Sequence, residues 1–312
     1  MQRSTDTIQR LIHNVEQVIV GKRDLVEMLV VALVCRGHVL IEDVPGVGKT
    51  MAARALARSV ALDCKRLQCT PDLLPSDITG VPIFNQKTVE FEFRPGPVFT
   101  NILIADELNR ATPRAQSALL ESMEEFQVSI DGQVHPLPAV FMVVATQNPI
   151  EMAGTYVLPE AQADRFLVRL QVGYPTLDEE VHIIGAQTSE HPIHALKPVV
   201  DEQELLQARE SLKNVHMGID VTRYIAAITA ATRSHPAVRL GVSPRGSLAL
   251  ARAAKALALA HGDNFVTPAH VKATAPAVLL HRLSLRPQAL TQGLTAAKVL
   301  DAVVYDIVAP PV

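Results

Sequence analysis

The sequence predicts an α/β chain, with a parallel β-sheet between two layers of helix and a smaller all-helical part behind it. Three observations carry that prediction. Through about residue 176, short and nearly continuous apolar runs alternate with segments of helical period, the pattern of strands buried on both faces. Before residue 50, one such run leads through a glycine-rich turn straight into a helix. Beyond Tyr174-Pro175 every apolar pattern is helical, and the C-terminal third is dense in Ala and Leu.

Taken in order, residues 6–18 place apolar side chains at helical spacing, and after Ile19-Val20-Gly21 a second helix is expected over 24–36. Strands are expected at 38–44, 66–69, 101–105, 139–145 and 166–172. Two segments interrupt the alternation. Val89-Glu-Phe-Glu-Phe93 has the period of two of a half-exposed strand, and Asn85 to Thr88 can turn, so 81–93 reads as an inserted hairpin. Within 127–135, Asp131-Gly132 between two short runs marks another. Helices follow at 178–188, 201–212, 220–233, 244–261 and 268–281, with a loop at 191–198. The domain boundary is placed near Thr176, giving a core over 1–176 and a helical domain over 177–312.

Composition narrows the function. At 312 residues and 48% hydrophobic content the chain can bury a large core, and a net charge of −3 gives no overall pull toward nucleic acid or acidic membrane. No apolar run approaches the ~20 residues that span a bilayer, and Met1 to Asp6 lack the apolar stretch of a secretion signal. The three cysteines, Cys35, Cys64 and Cys69, form no CxxC pair; Cys64 and Cys69 read as small buried residues. The histidines form no HExxH. A cytoplasmic, reduced protein without a Cys/His metal site is expected.

The chemistry begins at Ile41-Glu42-Asp43-Val44-Pro45-Gly46-Val47-Gly48-Lys49-Thr50. A strand, a glycine loop and a helix in that order are the context a phosphate-binding P-loop needs, the alternative being a Gly-Lys-Thr in an ordinary strand-to-helix turn. Gly46 and Gly48 let the backbone turn its N–H groups toward phosphate oxygens, and the helix adds its N-terminal amides and the positive end of its dipole. Lys49 would reach the β- and γ-phosphates, and the Thr50 hydroxyl would hold Mg²⁺. The strict pattern has Gly where this chain has Asp43. Downstream, the apolar strand Asn101 to Ala105 ends in Asp106-Glu107. A P-loop ATPase needs one strand-tip carboxylate to hold Mg²⁺ through water and a second to orient the attacking water, and these two fit in that order. Asn148, at the tip of the next strand, could hydrogen-bond that water or the γ-phosphate. Arg165 precedes the last strand, where it could neutralise transition-state charge on a neighbour's ATP; the bland alternative is an Asp164–Arg165 surface pair. Ser243 and Pro244 suit the start of a helix from which Arg245 would point toward a nucleotide clamped between the domains.

P-loop, acidic strand tip, strand-tip Asn, late Arg and a helical lid with its own Arg, in this order, resemble the AAA+ ATPases, and among them the MoxR family. The matching stretches are Leu40-Ile-Glu-Asp-Val-Pro-Gly-Val-Gly-Lys-Thr50, Asp72-Leu-Leu-Pro-Ser-Asp-Ile-Thr-Gly80, Phe91-Glu-Phe-Arg-Pro-Gly-Pro97 and Asp106-Glu-Leu-Asn-Arg110. Further on come Gln116-Ser-Ala-Leu-Leu-Glu-Ser-Met-Glu-Glu125, Ala145-Thr-Gln-Asn-Pro149, Leu158-Pro-Glu-Ala-Gln162, Asp164-Arg-Phe166 and Ser243-Pro-Arg245. The resemblance covers almost the whole chain, and loops of this family often carry an acid where Asp43 stands.

The resemblance implies an αβα P-loop NTPase core of AAA+ type with inserted β-hairpins, an all-α lid domain, and rings, usually hexamers, with ATP and Mg²⁺ between neighbouring subunits. It makes Asn148 sensor 1, Arg165 the arginine finger and Arg245 sensor 2. Ile19, Val20 and Gly21 would line the adenine pocket, with Pro45 to Met51 around the phosphates and Thr50 and Asp106 at the metal. The hairpin at 81–93 looks like the helix-2 insert and that at 127–140 like the pre-sensor-1 hairpin, both projecting toward substrates or partners. The family also implies chaperone-like maturation of protein clients, often beside a von Willebrand factor A domain protein. The reading is therefore an ATPase that remodels protein complexes. One rival is a DNA-remodelling motor, against which stand the slightly acidic charge and hairpin tips whose basic residue is Lys87. Another is a scaffold that holds ATP as a structural ligand, against which stand Glu107 and Arg165.

Overall fold

The computed structural model describes residues 1–44, 46–148, 154–186 and 192–311. In chain order the first part contains strands β1 (Val39–Glu42) and β2 (Cys64–Gln68), then β3 (Gly80–Asn85) and β4 (Glu90–Pro95). After them come β5 (Ile102–Asp106), β6 (Gln127–Ile130), β7 (Gln133–Pro136), β8 (Met142–Gln147) and β9 (Val168–Leu170). Five of these strands form one parallel sheet in the order β2-β5-β8-β1-β9. Strands β3 and β4 pair as one antiparallel hairpin and β6 and β7 as another, at the two places where the sequence breaks its alternation.

The central strands are buried because they can be. Ile102-Leu-Ile-Ala105 and Met142-Val-Val-Ala145 carry no charge and pack helices on both faces. Strand β2 departs from the expected two-sided burial: Lys65, Arg66 and Gln68 are exposed and only Leu67 is buried, because β2 is an edge strand. The same edge position corrects the expectation for Cys64, which is exposed, whereas Cys35 and Cys69 are buried.

Helices α1 (Gln2–Glu16), α2 (Arg23–Val34), α3 (Lys49–Ser59), α4 (Pro75–Thr79), α5 (Pro113–Glu125) and α6 (Glu160–Ala163) accompany the sheet. The helical part comprises α7 (Leu177–Ala186), α8 (Pro192–Ala195), α9 (Glu202–Ser211), α10 (Ile219–Ser234), α11 (Pro244–His261), α12 (Pro268–Leu279), α13 (Pro287–Thr291) and α14 (Ala296–Asp306). Its caps follow the chemistry of the sequence. Ser243 Oγ accepts from Gly246 N–H at 3.3 Å with Pro244 in the first turn of α11, and Gly262 ends that helix at a φ of 86°. Several features lie where no element was expected. Helices α13 and α14 are two, and the short helix α8 corrects the expectation of a loop over 191–198. Another is a short antiparallel ribbon of β10 (Val238–Leu240) and β11 (Ser284–Leu285), strands too short to show a period.

One hydrophobic core covers a face of the sheet and continues through α1 and α2 into α10, α11 and α12; a second lies between the opposite face and α5, around Leu103, Phe141 and Phe166. The N-terminal helices are thus bound to the helical part as well as to the sheet. Thr5 Oγ1 donates to Leu259 O at 2.8 Å, and Arg10 pairs with Glu204 at 2.7 Å.

Candidate nucleotide site

The strand register brings the predicted acids and the glycine loop to one edge of the sheet. Gln68 pairs in register with Asp106, Ala105 with Ala145, and Glu42 with Gln147, so the C-terminal tips of β2, β5, β8 and β1 stand in a row. From β1 the chain crosses to β2 at the far edge of the sheet, returns strand by strand through β5 and β8, and passes β1 to reach β9, and such a reversal of strand order opens a crevice at the carboxyl ends.

The loop after β1 enters α3 through Gly46 and Gly48, at φ values of 87° and 89°. A Cβ at either would meet nothing within 4 Å, so the left-handed backbone, not crowding, selects glycine. The N–H groups of Gly46, Val47 and Gly48 have no acceptor among the described residues. Lys49 Nζ donates to Asp43 O at 2.6 Å and to Gln147 O at 3.3 Å, holding its charge between the exit of β1 and the tip of β8. Thr50 follows in the first turn of α3. Pro45 lies outside the described residues. Asp43, the off-pattern position, accepts from its neighbour Val44 N–H at 2.7 Å and from Gly173 N–H at 2.6 Å. Its carboxylate therefore ties the glycine loop to the chain leaving β9.

A cleft of about 560 Å³, within the usual range for ligand pockets, opens beside the loop. Ile19, Val20, Gly46, Val47, Gly48 and Met51 line it, and Tyr174 and Ile183 face them. Gly21 adjoins it at a φ of 74°, and a Cβ there would fall 1.8 Å from Glu179 Oε1. Glu179 in turn accepts from Thr176 N–H at 2.8 Å and pairs with Lys22 at 3.5 Å, so the tight turn at Gly21 lets α7 close against the segment before α2.

Asp106 is buried, and both its oxygens are engaged. Oδ1 accepts from Thr146 Oγ1 at 2.6 Å, and Oδ2 accepts from Arg66 Nε at 3.0 Å and Nη2 at 2.6 Å. Glu107 takes a left-handed φ of 56°, an uncommon backbone for a non-glycine residue and one met at functional sites. Its N–H donates to Thr146 Oγ1 at 2.9 Å, and its carboxylate accepts from Gln68 and Arg110, each at 3.1 Å. Asn148 is buried at the end of β8, where its backbone O accepts from Asn109 Nδ2 at 3.4 Å. Among the described residues, Asn109 Oδ1 and Gln147 Nε2 are buried without a partner beside it. This edge fits a Mg²⁺-nucleotide. Thr50 and Asp106 offer hard oxygen donors, and a carboxylate with two engaged oxygens keeps lone pairs for a metal-bound water. The orphaned amide groups suit ordered water or phosphate.

Sequence reasoning did not single out Thr146, Arg66 or Gln68. Thr146 was legible as a polar residue inside a buried strand. Arg66 and Gln68 belong to an edge strand whose pairing with β5 only the topology reveals.

Arg165 and Arg245 stand elsewhere. Strand β1 runs toward the glycine loop, whereas Arg165 precedes β9, and Leu167 N–H donates to His38 O at the start of β1, at 2.9 Å. The arginine is thus at the N-terminal edge of the sheet, a strand length from the phosphate cradle. Arg165 Nε lies 3.1 Å from Glu124 Oε2, and Arg245 Nη2 lies 2.6 Å from Glu124 Oε1. This corrects one expectation and sets aside one alternative. Arg245 does not face the chain's own glycine loop, because α11 docks at the far edge and the arginine shares an acid with Arg165. Asp164 does not pair with Arg165 either; it accepts from Arg282 Nε at 2.6 Å and from Ser243 Oγ at 2.9 Å. Arg282, almost fully buried, also donates to the carbonyls of Asp164, Phe166 and Leu167. That network locks the segment bearing Arg165 to the cap of the helix bearing Arg245. Nearby, burial drives the His38 pKa down to about 4, and the neutral ring bridges Met123 O at 3.0 Å and Val143 N at 2.9 Å.

Residues 38–168 match the profile of the ATPase family associated with various cellular activities (AAA), and residues 230–303 match an AAA lid domain. The chain is 48% identical to an uncharacterised protein YeaC of Bacillus subtilis, over 96% of this chain and 94% of that one. It is 42% identical to Chaperone MoxR1 of Mycobacterium tuberculosis, over 98% of this chain and 83% of that one. A crystal structure of a candidate ATPase from Cytophaga hutchinsonii superposes with a TM-score of 0.91 at 33% identity, covering 99% of this chain and 98% of that one.

Proposed function

Because the chain belongs to the MoxR family of AAA+ ATPases, we propose that it binds and hydrolyses ATP between subunits of a ring and uses the cycle for chaperone-like remodelling or maturation of protein complexes. The observation that carries this reading is the separation within one subunit. The phosphate cradle and acids stand at one edge of the sheet, and Arg165 and Arg245 at the other. A subunit with two half-sites facing opposite ways completes neither alone. Head-to-tail association unites them, and when the rotation closes it makes a ring. A hexamer is the ring size we propose.

In that ring Pro45 to Met51 hold the triphosphate, with Lys49 on the β- and γ-phosphates, and Ile19, Val20 and Gly21 flank the base. Mg²⁺ held by Thr50 and, through water, Asp106 would neutralise phosphate charge. Thr146 orients both acids through one hydroxyl, which leaves Glu107 to polarise the attacking water and Asn148 to position it. Arg165 and Arg245 of the adjoining subunit meet the charge that develops on the transferred phosphoryl group. Residues 1–176 act as the nucleotide-binding core and 177–312 as the lid. The two hairpins face clients or a von Willebrand factor A domain partner. Among the described residues no helix is long and apolar enough to cross a membrane, and the proposed setting is the cytoplasm.

The test is the Glu107→Gln variant. It should bind ATP as the parent does and release phosphate at well under a hundredth of the parent rate, measured in steady state. Parent-like turnover would remove Glu107 from the mechanism and return the scaffold reading to consideration.

A further inference from the structure

The pocket around Arg165 and Arg245 holds more positive charge than its acids can neutralise. A cavity of about 260 Å³ at the N-terminal edge of the sheet is lined by Arg36, Arg165, Arg245, Arg252 and Arg282, with Glu124 and Asp164 as the only carboxylates among its lining residues. Five arginines against two carboxylates leave an excess of three charges. The internal pairings account for four of the arginines. Arg165 and Arg245 divide one carboxylate between them, Arg282 is paired with Asp164, and Arg252 donates to Cys35 O.

Arg36 is the exception. It follows the last turn of α2 at a φ of 52°, a left-handed backbone that a long side chain rarely adopts. It is exposed, and among the described residues it has neither an ion pair nor a side-chain hydrogen bond. Its guanidinium instead lies over the Phe126 ring, 3.8 Å from the centroid. Stacking fixes the direction of the fork without consuming its N–H donors, so the group is presented oriented and unspent. Phe126 itself directly follows α5, two residues after Glu124, which joins Arg36 to the same structural unit as the Arg165–Arg245 pair.

We propose that Arg36 is a third arginine of the neighbour-facing site, donating to phosphate oxygens of the nucleotide bound by the adjoining subunit. This rests on the reading that Arg165 and Arg245 act on a neighbour's nucleotide. Three guanidinium groups around one cavity match a polyphosphate, which offers several oxygens and more than one charge. The Glu124 carboxylate that Arg165 and Arg245 share is then the group that the incoming phosphates displace.

The test uses Arg36→Gly in the full chain. Glycine accepts the positive φ without strain, so the variant should melt at or above the parent temperature and, as an isolated subunit, bind ATP at its own P-loop as the parent does. Its kcat should fall roughly 10²-fold, the usual loss of one preorganised donor at developing charge. Mixed with Lys49→Ala subunits it should regain activity, since the Lys49→Ala subunit supplies an intact Arg36 to the intact cradle of its neighbour. The Arg165→Ala with Lys49→Ala mixture runs beside it. Recovery with Arg165→Ala but not with Arg36→Gly would mean that Arg36 serves its own subunit, and the proposal falls while the underlying reading stands. Parent-like kcat in Arg36→Gly would also overturn it. Failure of both co-assembled mixtures would remove the reading and the proposal together. Should the glycine variant melt without cooperativity, Arg36→Asn, whose short side chain also tolerates a left-handed backbone, takes its place with the same outcomes.

Discussion

At the C-terminal edge of the sheet the site is built mainly of backbone: turned amides in the glycine loop, a helix start, and carbonyls of Asp43 and Gln147 that hold the Lys49 ammonium. At the N-terminal edge it is built of side chains. Arg36, Arg165 and Arg245 arrive from the turn after α2, from the turn before β9 and from α11, and are set in place by Glu124, Phe126 and Arg282 from other elements and by Asp164 beside Arg165. A backbone site is specified by a contiguous stretch of sequence, because turn, strand and helix start are local. A side-chain site exists only after distant segments have packed. The first edge needs only its own strand, loop and helix start to take shape. The second depends on the docking of the helical part onto the sheet, so in the proposed ring it is the edge at which the state of the lid would be transmitted to a neighbour.

The sharpest way to break this comparison is to disable each edge separately. Lys49→Ala should abolish ATP binding, read by equilibrium binding of a labelled nucleotide, and with it all turnover. Arg165→Ala should bind ATP normally and lose roughly 10³-fold or more in kcat, the range of an arginine supplied from a neighbour. Neither variant should be active alone, and co-assembled mixtures should regain phosphate release. If Arg165→Ala instead lost ATP binding in the isolated subunit, the two edges would not be separate half-sites.

The contrast also explains what the sequence disclosed. The glycine loop, Asp106-Glu107 after an apolar strand and both hairpins were legible because each is a local pattern: period, turn residues, polar residues at a strand tip. The presence of Arg165 and Arg245 was legible too, but not their company. Nothing in Ser243-Pro244-Arg245 says that α11 docks at the edge of the sheet remote from the glycine loop, and Glu124 looks like one of several acids on the exposed face of α5. Arg66 was hidden for a related reason. Its partnership with Asp106 depends on β2 pairing with β5, two strands separated in sequence by a whole hairpin. The ribbon of β10 and β11 fell below the length at which a period can be seen, whereas α14 did carry a signal, a Thr295 cap followed by buried Val299, Leu300 and Val303.

Acid should act on the side-chain edge. His38 stands where β1, α5 and β8 meet, and burial lowers its pKa from 6.5 to about 4. A histidine held neutral in the fold is protonated more readily in the unfolded chain. The unfolded state therefore binds more protons between those two values, and stability rises with pH across that window. The stabilisation is complete above about pH 6.5 and is lost as the pH falls toward 4, with a total on the order of 3 kcal/mol from this one group. His281, also buried with its pKa pushed down by burial and by the Arg282 charge, acts with the same sign. Urea unfolding at pH 7 and pH 4.5 should show the loss, and His38→Gln, which can keep a donor and an acceptor in the same place, should reduce it. An equal loss in the glutamine variant would assign the acid sensitivity to other groups.

The smallest effect tests a side chain that holds the glycine loop in shape. Asp43 stands where the strict P-loop pattern has glycine, so sequence alone suggests that Asp43→Gly would improve the cradle. The geometry argues the opposite. The carboxylate accepts from Val44 N–H on one oxygen and from Gly173 N–H on the other, clamping the entrance of the loop to the chain that leaves β9. Losing it releases both amides to solvent and gives the loop new backbone freedom that must be lost again when phosphate binds. Since the site is partly exposed, water replaces much of what is lost, and the net penalty should be about 1 kcal/mol, or roughly five-fold in the KM for ATP. The kcat should hardly change, because Glu107 and Thr146 are positioned from β5 and β8 and not through Asp43. Steady-state kinetics separate the two parameters. An unchanged or lower KM would mean that the loop keeps its shape without the clamp, and the aspartate would then have no part in holding the phosphate cradle.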